Sequence, residues 1–274
     1  MKMDVLEKNK EKIYCDVSVI IPCYNCSSTI ERSINSILNQ TRLPREVILV
    51  DDKSTDNTLE ILNHLAKKHE EIPLIILSLS ENSGPGIARN RGWKRAKYPW
   101  LAFLDADDLW HSQKLEIQTN VLGLHPDVYL CGHNSDVYSE FQTIPKEINF
   151  SVSSININKM LISNRFPTRS VMLRKDLDFK FGGKDVTEDY LLWLQIIADG
   201  YKAVKVDLIL AYSLRPEFSK GGYSGQLWKH ELRELRALRQ LYSSSKIPFY
   251  KYFFFLGFSF MKFLRRLIIA KFFQ

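Results

Sequence analysis

Four short apolar runs, VSVII (17–21), EVILV (46–50), PLIILSL (73–79) and WLAFL (100–104), recur through the first hundred residues, each followed by a polar turn and a helical pattern. Runs this short and this rich in β-branched residues read as strands buried on both faces. After the first, Ser28-Thr29-Ile30-Glu31 has capping-box spacing, and Ile30, Ile34, Ile37 and Leu38 fall on one helical face. After the second, Ser54 or Thr55 is expected to cap a helix that turns Leu59, Leu62, Leu65 and Ala66 inward. The turn cluster NSGPG then leads into a helix from about Ile87 to Ala96. Strands alternating with helices predict an α/β fold around a parallel sheet.

In such a sheet, ligands collect outside the carboxyl ends of the strands, and Asp51, Asp52, Asp105, Asp107 and Asp108 all lie at such ends. FLDADDLW (103–110) crowds three carboxylates into four residues. Two unit charges about 5 Å apart repel by roughly 3 kcal/mol at an effective dielectric of about 20, so a positive partner is required. Clustered carboxylates favour a hard, oxygen-loving cation, and Mg²⁺ commonly completes its shell with substrate phosphates. Without that cation, at least one of the three acids is expected to titrate above its usual range. Taken alone, DADD also fits a solvated, helix-capping turn.

Beyond residue 110 the pattern loosens. Helices are expected from Gln113 to Leu122 and from Glu188 to Gly200, the second ended by Gly200, with mixed segments at 135–159. KAVKVD (202–207) alternates as an edge strand does. Four cysteines are too few for a disulfide framework in 274 residues, and the polar N-terminus has no apolar core of a signal peptide. Both point to a cytoplasmic protein.

The chain carries 38 Lys+Arg against 31 Asp+Glu, and from Lys246 onward six are basic and none acidic. That basic, aromatic segment fits an anionic membrane surface rather than nucleic acid. Its longest uncharged run, Tyr252 to Met261, is ten residues, about half of what spanning a bilayer requires. Lys251, Lys262, Arg265 and Arg266 share a helical arc of roughly 100°, the pattern of an in-plane anchor on the inner face of the membrane. The alternative is a helix docked on the protein's own core. Lys271 interrupts the stripe.

The pieces VSVIIPCYN, VILVDDKSTDNT, NSGPGIARNRG, FLDADD and TEDYLLWL, in that order, resemble the family 2 glycosyltransferases over about Asp16 to Tyr212. Beside the C-terminal helical, membrane-seeking tail read from its composition, the resemblance implies a GT-A fold, with a Rossmann-like, mostly parallel central sheet flanked by helices. It implies a nucleotide-sugar half (15–108) and an acceptor half (109–215) of one 15–215 domain, followed by a 216–274 extension. Pro22 and Tyr24 resemble the loop on the nucleotide base, and Asp52 the acid that binds the uracil ring. Asp105 and Asp107 match the DxD motif for Mn²⁺ or Mg²⁺ and ribose, with Asp108 also used by related enzymes, and Arg89 resembles the basic residue near the diphosphate. Asp189 resembles the catalytic base of inverting members, and Glu188 beside it is a candidate on the acceptor side.

The implied donor is a UDP-hexose or UDP-N-acetylhexosamine. The acceptor is a saccharide, lipid-linked given the membrane-seeking tail, in surface polysaccharide synthesis. The Q-x-x-R-W motif of processive synthases is not visible, which points to one sugar per binding event. Two rivals remain at this stage. One is a non-catalytic nucleotide-sugar-binding module. The other is a redox protein built on Cys23-x-x-Cys26, which has thioredoxin-type placement between a strand and a helix. Gly84-Pro-Gly86 lacks the third glycine of a dinucleotide fingerprint, since Arg89 stands there.

Overall fold

In strand β1 (Tyr14–Cys23), Ile20 packs into one core, while Val17, Val19 and Ile21 pack into another, so both faces must be covered. The computed structural model describes residues 12–138, 150–183, 188–214 and 227–272. The first core lies against helices α3 (Pro85–Arg95) and α6 (Glu188–Ala198). The second lies against α1 (Ile30–Leu38), α2 (Thr58–Lys68) and α4 (Lys114–Leu124).

Strands β2 (Leu43–Asp51), β3 (Leu74–Ser78) and β4 (Trp100–Phe103) complete the parallel part, in the order β3-β2-β1-β4. The sheet continues through β8 (Met172–Arg174), β6 (Val128–Val137), β9 (Lys202–Ser213) and β5 (Asp108–Trp110), with β7 (Val152–Ile155) paired to β9. In this second part only β6 and β9 run parallel, and β8, β5 and β7 are antiparallel to their neighbours. The α/β architecture and its helical coat are as the sequence predicts, and one sheet runs through both halves. The boundary expected at 215/216 and residues 139–149 of the mixed region lie outside the described residues.

Several local expectations are corrected. The Ser28–Glu31 capping box does not form, because the Thr29 and Ile30 amides both donate to the Cys26 carbonyl at 3.0 Å. Ser54 and Thr55 do not cap α2. They tie to Asn25 instead, and Asp56 Oδ1 accepts from the Thr58 amide at 3.0 Å. Leu59 points to solvent, while Leu62 and Leu65 are buried as expected. KAVKVD is not an edge strand, since Ala203, Val204, Lys205 and Val206 lie between β6 and β7, with Ala203 in one core and Val206 in the other.

Gly92 lets α3 lie directly on β1, because a Cβ there would sit 2.5 Å from Ile20 Cγ2. That close approach brings Arg89, one turn earlier, to the carboxyl ends of the strands.

Lys114 is fully buried. Its ammonium donates to Gln118 Oε1 at 2.7 Å and lies 3.9 Å from the Trp110 ring centroid. Burial lowers its pKa from 10.5 to about 7. Between those values the unfolded chain holds a proton that the folded chain does not, so stability rises with pH across that window. Chemical denaturation between pH 7 and 8.5 should show this rise, worth up to roughly 2 kcal/mol before the buried Cys15 and Cys131 thiols, both raised to about 12, oppose it at higher pH, and Lys114→Met should remove it.

At the C-terminus, α7 (Leu227–Ser243) and α8 (Phe249–Phe272) pair with each other and pack through α6 and α5 (Ile157–Ile162). Of the cationic arc, Lys251, Lys262 and Arg266 are turned toward protein, whereas Arg265 is exposed. Lys262 and Arg266 meet Glu234, Arg266 also meets Glu231, and Lys251 donates to Asn158. Phe255 and Phe263 are buried, whereas Phe253, Phe254, Phe260, Met261 and Leu264 form an exposed apolar face. The helix is docked through its cationic side and shows its aromatic side outward. The Lys271 side chain lies outside the described residues.

Candidate active site

Because β1, β2 and β4 run parallel, their carboxyl ends deliver Tyr24, Asp52 and Asp105 to one edge of the sheet. Pro22 is half-buried inside β1, and the Tyr24 ring is 49% exposed, open for stacking on a planar ligand. Asp52 is buried and accepts from the Ser83 amide at 2.8 Å and the Gly84 amide at 2.7 Å. Gly84 has φ 93°, which a side-chain-bearing residue rarely adopts. Asp52 therefore holds the NSGPG turn and the start of α3.

The repulsion within DADD is relieved by two arginines. Arg89 Nη2 donates to Asp105 Oδ1 at 2.5 Å, with its guanidinium 5.3 Å from the Phe181 ring centroid. Arg169 Nη1 donates to Asp108 Oδ2 at 3.1 Å and Arg169 Nε to Ser135 Oγ at 2.6 Å. The buried Asp108 is still pushed up to about 7, chiefly by desolvation, with Arg169 opposing and Asp105 and Asp107 adding to the shift. The expectation that one of the three titrates high thus holds, although desolvation outweighs repulsion as its cause. Asp107 is half-exposed between them.

Arg169 was not visible as a site residue in the sequence. It belongs to a 3-10 turn, Thr168–Ser170, more than 60 residues from Asp105, and only the unmet need for positive charge pointed to it. The same turn reaches Asp189, at the start of α6. Thr168 Oγ1 donates to Asp189 Oδ2 at 2.9 Å, and the Tyr190 amide to Asp189 Oδ1 at 2.7 Å. The side chain of Glu188 lies outside the described residues.

All-oxygen donors at 105, 107 and 108 suit Mg²⁺ or Mn²⁺ by chemistry. No group of three or more His, Cys, Asp or Glu arranged as a metal cage occurs among the described residues. A cation bound by one or two carboxylates and substrate phosphates does not require such a cage. The Cys23 and Cys26 thiols are buried, and the adjoining Cys26 thiol, then burial, hold Cys23 well above its ordinary value. The Cys23 thiol in turn lowers Cys26, the direction a redox pair needs, but neither thiol is accessible, since Cys23 is fully buried and Cys26 only 7% exposed, and it is this burial that counts against the redox reading.

Residues 18–183 match the sequence profile of glycosyl transferase family 2. The chain is 31% identical over 229 residues to the UDP-Glc:alpha-D-GlcNAc-diphosphoundecaprenol beta-1,3-glucosyltransferase WfaP of Escherichia coli, covering 82% of this chain and 86% of that protein. Among solved structures, S. aureus TarS 1–349 in complex with UDP-GlcNAc superposes with TM-score 0.68 at 21% identity, covering 91% of this chain and 72% of that one. The mannosyltransferase PcManGT of Pyrobaculum calidifontis, in complex with GDP-Man and Mn²⁺, superposes with TM-score 0.65 at 18% identity, covering 93% and 75%. At these identities the two structures establish the fold.

Proposed function

The chain belongs to glycosyl transferase family 2 and is a glycosyltransferase; from that premise we propose that it moves one sugar, with inversion, from a UDP-hexose or UDP-N-acetylhexosamine to a hydroxyl of a lipid-linked saccharide in surface polysaccharide synthesis. The observation that carries the proposal is the junction at Thr168-Arg169, where consecutive residues hold Asp189 and Asp108, so that a donor-side acid and a candidate base share one edge of the sheet. WfaP, whose name gives UDP-Glc as donor, GlcNAc-diphosphoundecaprenol as acceptor and a beta-1,3 linkage, supports the donor and acceptor classes. The β linkage in that name is what inversion of an α-configured nucleotide sugar yields.

In the proposed mechanism, Tyr24 and Pro22 pack on the base and the edge of Asp52 lies toward the uracil. Asp189 accepts the proton of the attacking acceptor hydroxyl, which is a poor nucleophile until a carboxylate within hydrogen-bond reach takes it. Displacement from the face opposite the nucleotide inverts the anomeric centre, and Glu188 flanks the acceptor side. Arg89, behind Asp105, adds positive potential where the diphosphate leaves. Mn²⁺ or Mg²⁺ on Asp107 with Asp105 would stabilise charge developing on the leaving group. Residues 15–108 then serve the donor, 109–215 the acceptor, and 216–274 form the extension.

The test is to incubate the purified chain with Mn²⁺, a panel of nucleotide sugars and a GlcNAc-diphosphate-lipid, and to weigh the lipid product. A mass increase of one hexose or N-acetylhexosamine is expected with a UDP donor. Binding of UDP-sugars without transfer or hydrolysis would favour the non-catalytic module.

We also place the protein at the cytoplasmic face of the membrane, docked peripherally through residues 246–274. Among the described residues, no helix is long and apolar enough to cross a bilayer. Residues 227–272 carry ten Lys and Arg against Glu231 and Glu234, which suits an anionic surface, and α8 turns Phe254 and Met261 outward. Co-sedimentation with vesicles containing anionic phospholipid is expected for the wild type. Phe254→Ser with Met261→Ser should weaken it at least about tenfold, because burial of each such side chain contributes roughly 1.5–3 kcal/mol.

A further inference from the structure

We propose that Thr168 is a positioning residue for the reaction, holding the Asp189 carboxylate in the orientation from which it takes the acceptor proton. The inference rests on the reading of Asp189 as the base.

The Asp189 carboxylate is gripped at both oxygens. One grip, from the Tyr190 amide to Oδ1, is local to the start of α6 and fixes only the pitch of the side chain. The other, from Thr168 Oγ1 to Oδ2 at 2.9 Å, comes from a different element and fixes which way the carboxylate faces. A base held by two donors from independent elements has one orientation, and each oxygen keeps a lone pair to accept the incoming hydroxyl.

The turn that carries Thr168 is itself pinned. Ser170 Oγ donates to the Pro167 carbonyl at 2.8 Å and Gln118 Nε2 to the Ser170 carbonyl at 3.0 Å. Trp110 Nε1, on the strand that begins with Asp108, donates to the Arg169 carbonyl at 2.9 Å. Trp193 Nε1, one helical turn beyond Asp189, donates to the Phe166 carbonyl at 3.1 Å. The hydroxyl is therefore mounted on a platform bonded both to the strand of the donor acids and to the helix of the base. Thr168 is 8% exposed and Ser170 is fully buried, so solvent does not compete strongly for the bond.

Steady-state kinetics of Thr168→Val, Thr168→Ser, Asp189→Asn and the Val/Asn double variant test this. Valine keeps the shape and removes the donor, so kcat should fall about 10- to 100-fold, the loss expected for one hydrogen bond to a charged group. The KM for the nucleotide sugar should stay within about twofold. Serine restores the hydroxyl and should recover most of kcat. Adding Thr168→Val to Asp189→Asn should cost little more, because the two act as a unit. A dead Asp189→Asn beside a Thr168→Val with wild-type kcat would overturn the positioning role alone, as would failure of serine to restore what valine loses. Wild-type transfer by Asp189→Asn would overturn the base assignment, and the role of Thr168 with it.

Discussion

Asp189→Asn should leave nucleotide-sugar binding intact and reduce transfer by at least about 10²- to 10⁴-fold, the range over which a positioned general base contributes. Asparagine matches aspartate in size, and its oxygen can keep the Tyr190 amide while its Nδ2 donates to Thr168 Oγ1, so the start of α6 has little reason to shift. It cannot take a proton. The donor-side residues Tyr24, Asp52, Arg89 and Asp105 lie on other elements, so calorimetric affinity for UDP-sugar should change less than about twofold. Transfer retained near the wild-type rate would remove Asp189 from the chemistry and leave its place at the start of α6 to the helix dipole, which favours acids there.

Asp107→Ala is expected to have the second largest effect. Asp105 and Asp108 already face guanidinium groups, whereas Asp107 is half-exposed at the mouth between them. Its loss should abolish the gain in UDP affinity that Mn²⁺ confers on the wild type and take transfer down with it. Unchanged Mn²⁺-dependent affinity in titration calorimetry would take Asp107 out of the cation site.

Much of the fold could be read along the chain because its signals are local. VSVII, EVILV and WLAFL are apolar on both faces, and the alternate residues of β1 do enter two different cores. Ile30, Ile34 and Ile37 repeat at helical spacing and are buried together. The helix caps differ from the sequence expectation because amides at the start of α1 and α2 bond to the Cys26 carbonyl and to Asp56 rather than to the hydroxyls at capping spacing. In the site, the acids are legible as clusters at strand ends, and their mutual repulsion requires a counter-charge. Supplying it with Arg89 and Arg169 required the tertiary fold, since Arg169 meets Asp108 across 61 residues of sequence. Thr168 had no local signature at all. In the tail, the cationic stripe of α8 was correctly periodic. Its direction depended on Glu231 and Glu234 in α7, and only their approach shows which face stays open.

The most direct test of a single displacement assisted by Asp189 is the anomeric configuration of the first product, read by proton NMR on the sugar transferred from an α-configured UDP donor. A β-configured product is the expected result. An α-configured product would contradict single displacement and require a different role for Asp189.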